Sequence, residues 1–140
     1  MAEKLENGMN KTKFLRFWSV AMGAMDTLTG VLLICAPGFV LKILGVAEPS
    51  PDAMVFLSWI GIFVMSVGLS YFLALGRRSR GETVWTFTSF VRVFVALFVT
   101  VQILVGSLVP AWIVIGIADG FVAVVQIVIL RKGWWKEVSK

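Results

Sequence analysis

An all-α integral membrane protein, with four transmembrane helices in a bundle, is the fold class this sequence predicts. Three observations carry the prediction. The 140-residue chain is 59% apolar and only 15% charged, with a mean hydropathy of +0.91, well beyond a soluble globular domain. Its apolar residues gather into four runs, each near the ~20 residues a helix needs to cross a hydrocarbon core of about 30 Å. Finally, 11 of the 13 Lys and Arg residues lie in the two terminal stretches and one central segment. Membrane topology imposes that distribution, whereas a nucleic-acid surface would not, so the expected partner is the lipid bilayer and no nucleic acid.

The chain 1–140 reads as a single membrane domain. Met1 to Lys13 is a polar tail, and the first apolar run covers residues 14–35, stopping before Pro37. Residues 38–46 are too short to span and contain Lys42, which predicts a short interfacial helix between the first two spans. Pro49 and Pro51 mark a loop, and the second run occupies 53–75. Gly76 to Glu82, with Arg77, Arg78 and Arg80, is expected as a basic loop. The third run is 84–105, Gly106 to Pro110 is a tight uncharged turn, and the fourth run, 110–131, ends at Arg131-Lys132.

Loop charges set the expected orientation. Arg16 and the tail lysines, the Arg77 to Arg80 segment, and Arg131, Lys132, Lys136 and Lys140 fall on one face of a four-span protein, and only Lys42 falls on the other. Positive residues stay inside, so both termini are expected in the cytoplasm, in a bacterial inner membrane. Indole prefers the headgroup boundary, which casts Trp18, Trp85, Trp134 and Trp135 as anchors at the inner boundary and Trp59 and Trp112 at the outer one.

Three charges lie deep within the apolar runs, away from their ends. Counted at ~1.5 Å per residue from the cytoplasmic ends, Asp26 lies roughly 18 Å deep, Arg92 roughly 13 Å and Asp119 roughly 18 Å. An arginine at mid-membrane costs between about 3 and 15 kcal/mol unless partnered, so Arg92 is expected to meet at least one of the aspartates. Each charge shares a stripe of small or polar residues, the face that packs on other helices: Ser19, Gly23 and Gly30 with Asp26; Thr88, Ser89 and Ala96 with Arg92; Gly116, Ala123 and Gln126 with Asp119. The second run offers Gly61, Gly68 and Tyr71, and Gly116 with Gly120 forms a GxxxG pattern that permits close helix approach. Two carboxylates around one guanidinium leave one charge over, and the acids are expected to titrate jointly.

With no histidine and a single cysteine, Cys35, disulfide frameworks, Cys/His metal sites and imidazole acid-base chemistry are ruled out within one chain. No phosphate-binding glycine loop or nucleophile-base pair is present, so no enzymatic activity, metal or cofactor is expected. The run Gly23 to Asp26, Gly30, Ala36-Pro37, Gly61 to Gly68 and Tyr71, and then Arg92, resembles the small bacterial four-helix membrane proteins grouped as DoxX-like. That resemblance implies the same four-helix architecture and, from its named member, association with a membrane oxidoreductase complex. The expected role is a non-enzymatic accessory or scaffold subunit of a larger membrane complex, with other membrane subunits or copies of itself as partners. The alternative is a small proton-linked transporter that uses the aspartates.

The loop charges make a direct prediction. A reporter fused at residue 140 is expected to be active only in the cytoplasm, and one inserted near residue 50 only outside. An externally active C-terminal reporter would overturn the orientation.

Overall fold

The computed structural model describes residues 2–76 and 78–138, with side chains at 8–75 and 80–137. Arg77 and Lys140, both counted in the charge distribution, lie outside the described residues. Every element is helical: α1 (Ala2–Cys35), α2 (Pro37–Ile43), α3 (Pro51–Gly76), α4 (Arg78–Leu104), a 3-10 turn (Pro110–Trp112), α5 (Ile113–Arg131) and α6 (Trp134–Val138). Four stretches are long and apolar enough to cross a membrane, Gly8–Cys35, Pro51–Leu75, Arg80–Leu104 and Pro110–Arg131.

Two expected irregular segments are helix. The polar tail belongs to α1, and most of the basic loop belongs to the first turns of α4. The reason is helix cooperativity: once a long span is nucleated, adding Lys, Glu, Leu, Met or Arg costs little, and these residues propagate helix well. The fourth long helix starts later than its apolar run, because Pro110 opens a single 3-10 turn before α5 takes over at Ile113. The segment expected at 38–46 is the two-turn helix α2, ended by Gly45.

Packing is paired. α1 lies on α3, α4 lies on α5, and α3 runs beside α4, while α1 keeps its backbone away from both α4 and α5. Glycines make the α1/α3 seam. A Cβ added to Gly30 would lie 2.6 Å from the Gly61 carbonyl oxygen, and one on Gly61 would lie 2.8 Å from that of Gly30. Gly23 and Gly68 repeat the arrangement two turns away, where a Cβ on Gly68 would meet the Gly23 oxygen at 2.9 Å and the Thr27 backbone closer still. Backbones approach this closely only without side chains between them.

Gly116 and Gly120 play no such part. A Cβ at Gly116 would sit 3.5 Å from Val99 Cγ1 and one at Gly120 3.8 Å from Ala96, both ordinary contacts. The GxxxG pattern on α5 is therefore not a close-approach seam, and α4 and α5 meet through side chains such as Val99 and Ala96.

Polarity runs inside out. The interior holds Ser19, Asp26, Thr88, Ser89, Arg92 and Gln126, while Phe56 and Phe63 on α3, Phe90, Phe94 and Phe98 on α4, and Ile117 and Phe121 on α5 are exposed. Water would penalise that arrangement, and a hydrocarbon surround satisfies it, because only the internal polar groups then need partners.

The glycine geometry predicts opposite outcomes for one substitution at two sites. Gly30→Ala forces α1 and α3 apart and is expected to cost about 1–3 kcal/mol. Gly120→Ala meets nothing closer than ordinary contact and is expected to be neutral or slightly stabilising through helix propensity. Thermal unfolding in mild detergent measures both, and equal effects would refute the seam.

Candidate functional site

The site is built outward from Arg92, which is carried by α4 on the same face as Trp85, Thr88 and Ser89, all of them buried. Spacings of three and four residues put these side chains on one stripe, and that stripe faces the other three long helices. The guanidinium reaches three of them. Nη2 donates to Asp26 Oδ2 on α1 at 2.5 Å, Nη1 donates to Asp119 Oδ1 on α5, and Nε lies 3.5 Å from the Tyr71 hydroxyl on α3. One planar fork thus joins α1, α3 and α5 to α4, a geometry available to arginine but not to lysine.

Hydrogen bonds continue from the triad toward the end where α6 lies. The Tyr71 hydroxyl accepts from Gln126 Nε2 at 2.7 Å. Gln126 Oε1 is 3.2 Å from the Ser89 hydroxyl, which donates to the Trp85 carbonyl at 2.6 Å. Trp85 Nε1 in turn donates to Ser19 Oγ on α1 at 2.9 Å. Tyr71, Trp85, Thr88, Gln126 and Ser19 are all fully enclosed. A polar group in such a place is costly unless bonded, and here the bonds between side chains link all four long helices in one polar column.

All three members of the expected triad, Asp26, Arg92 and Asp119, meet in one cluster. The two acids are not equivalent, since Asp119 keeps 17% of its side chain exposed against 10% for Asp26. The stripe residues Ser19, Ser89, Tyr71 and Gln126 join the same network, whereas Ala96 and Gly116 line the α4/α5 contact instead. Among the described residues no three His, Cys, Asp or Glu side chains gather as a metal-ligand set. The two carboxylates that approach one another are both held by the guanidinium. Arg92 stays cationic at any ordinary pH and has no lone pair with which to accept a proton.

The tryptophans divide differently from their expected common role as anchors. Trp85 is completely buried and Trp135 is 6% exposed; their rings meet edge to face at 5.5 Å and 79°. They form a core with Leu15, Tyr71 and Ile129, against which Trp18 packs. Indole is as good a filler as an anchor, and Ser19 supplies the acceptor that lets Trp85 go inside. Trp18 stacks on Phe14 at 5.7 Å, and Trp134 meets the same ring edge-on at 5.7 Å. Trp112 and Trp59 lie toward the other end, Trp112 half-buried and Trp59 exposed.

Sequence reasoning missed Gly81 and α6. Gly81 leaves the space that the Trp135 ring fills, since any Cβ there would collide with it. Its only sequence signal is a glycine inside an otherwise good helix former run, and that run read as a loop.

Fold and site define an α-helical chain with four membrane-length helices around a buried Asp-Arg-Asp triad. Comparison with protein-family models, with curated proteins and with solved structures finds no match to it.

Tyr71 offers a sharp test of the column. Tyr71→Phe removes the acceptor for Gln126 and for Arg92 Nε and is expected to cost about 1–3 kcal/mol, the range for stranding a buried donor. Adding Gln126→Leu removes the stranded amide and should restore part of the loss. Additive losses in the double variant, read by thermal melts, would refute a bonded column.

Proposed function

We propose that this chain is a small non-enzymatic subunit of the bacterial inner membrane, with both termini cytoplasmic and α2 lying at the outer interface. In this reading it is a DoxX-like accessory or scaffold component that docks other membrane subunits or its own copies. The triad of Asp26, Arg92 and Asp119 acts as an internal lock that sets the relative depth of the four helices. The observation that supports the lock is the Arg92 guanidinium, whose three nitrogens each turn to a different helix. The common location of the N-terminal part of α1, the start of α4 and α6, tied by Lys11 to Glu137 and by Lys136 to Glu82, supports placing both termini on one side.

A second reading, proton-linked transport, draws on the partial exposure of Asp119 and on the excess of one acid over the bases in the cluster. The two readings differ in what a neutralised aspartate does. A lock tolerates paired removal of opposite charges; a carrier loses its activity with either acid.

Arg92→Ala strands two carboxylates and is expected to destabilise the protein by about 3 kcal/mol or more, less what protonation recovers. The paired change Arg92→Leu with Asp26→Leu is expected to regain most of that, because an apolar pair of fitting shape can replace a buried ion pair. Arg92→Ala melting like the parent would end the lock. Proton-coupled flux in proteoliposomes, abolished by Asp26→Asn or Asp119→Asn, would install the carrier instead. Purification in mild detergent tests the scaffold role, which predicts a stable membrane partner or a defined homo-oligomer.

A further inference from the structure

The lower end of the polar column is closed by a segment that the triad does not need. After the left-handed turn at Gly133, φ +69°, α6 inserts Trp135 edge-on against Trp85 and flat against Gly81. Behind Trp85 lie polar groups held in separate bonds, Trp85 Nε1 to Ser19, Ser89 to the Trp85 carbonyl, and Gln126 to Tyr71 beside Arg92. With Leu15 and Ile129, the two indole rings are the apolar layer between that column and the end of the molecule.

Aromatic packing holds this seal, with Trp135 in the core cluster, Trp134 edge-on to Phe14 and Lys11 over the Trp134 ring, while its polar ties are weak. Among the described residues, ion pairs from Lys11 to Glu137 at 2.5 Å and from Lys136 to Glu82 at 3.7 Å join α6 to α1 and α4. Glu137, Lys136 and Glu82 are well exposed, where such pairs contribute little and salt screens them. Trp135 Nε1 is buried with no hydrogen-bond partner among the described residues, so docking desolvates a donor without return from them. Swung out about Gly133, the same indole would reach the headgroup boundary, where its N–H finds acceptors and its ring keeps apolar surroundings.

We propose that α6 is a releasable plug. Docked, Trp135 seals the polar column from water; released, it admits water and small hydrophilic solutes from the basic end toward Asp26, Arg92 and Asp119. The plug goes beyond the lock and stands whether the triad locks or conducts.

The test is chemical access to Ser89. In lipid nanodiscs, a Ser89→Cys reporter in a Cys35→Ser background is treated with a cationic, membrane-impermeant methanethiosulfonate. Slow modification is expected with Trp135 in place, and a rate roughly tenfold higher or more when Trp135→Ala or Gly81→Ala undocks α6, as for a local opening made more populated. High salt should raise the rate in the chain with α6 intact. A Val99→Cys reporter, buried where α4 faces Gly116, separates undocking from general loosening and should stay unreactive in all backgrounds. Unchanged Ser89→Cys rates in both variants, or Val99→Cys reacting as fast as Ser89→Cys, would overturn the plug.

Discussion

Arg92 cannot give up its charge, and it lies buried among the four long helices. Its buried donors are costly to leave without acceptors, and the fork directs its three nitrogens along different lines. Asp26, Asp119 and Tyr71 answer from three separate helices. Because the acceptors must sit at the level of one planar group, the axial positions of α1, α3 and α5 relative to α4 are coupled. Sliding any one by a turn, about 5.4 Å, would leave a buried donor or carboxylate alone.

The rest of the packing serves that meeting point. Gly23, Gly30, Gly61 and Gly68 let α1 and α3 touch at backbone distance, which delivers Asp26 and Tyr71 as a fixed pair. By contrast, the α1 and α4 backbones stay apart and are joined by reaching side chains, among them Trp85 to Ser19 and Arg92 to Asp26. The space so left is what the polar column occupies. Close seam and polar column are two halves of one design, since association in lipid relies on tight packing and internal hydrogen bonds in place of a hydrophobic drive.

Aromatic residues show how one composition can serve two ends. Trp85 and Trp135 fill the core near the basic end, whereas Phe90, Phe94 and Phe98 point outward along α4. A soluble protein would reverse that ratio of polar to apolar burial. The exposed phenylalanines carry no polar atom and suit a lipid surround, while the buried indole of Trp85 is admitted because Ser19 accepts its proton.

Much was legible in the sequence because the membrane imposes simple rules. Apolar run length and prolines marked four long helices, though not where the first and third begin, and a lone arginine in such a run demanded acids at its own depth, which only Asp26 and Asp119 could supply. Those inferences rest on one-dimensional quantities, length, charge and spacing. The tertiary structure decided what depends on distances between chain segments. Gly30 with Gly61 became a seam and Gly116 with Gly120 did not, because close approach is a property of two facing helices and not of a motif. Trp85 and Trp135 went inside, since their surroundings are supplied by Ser19, Gly81 and α6, residues far apart in sequence whose meeting no local pattern records.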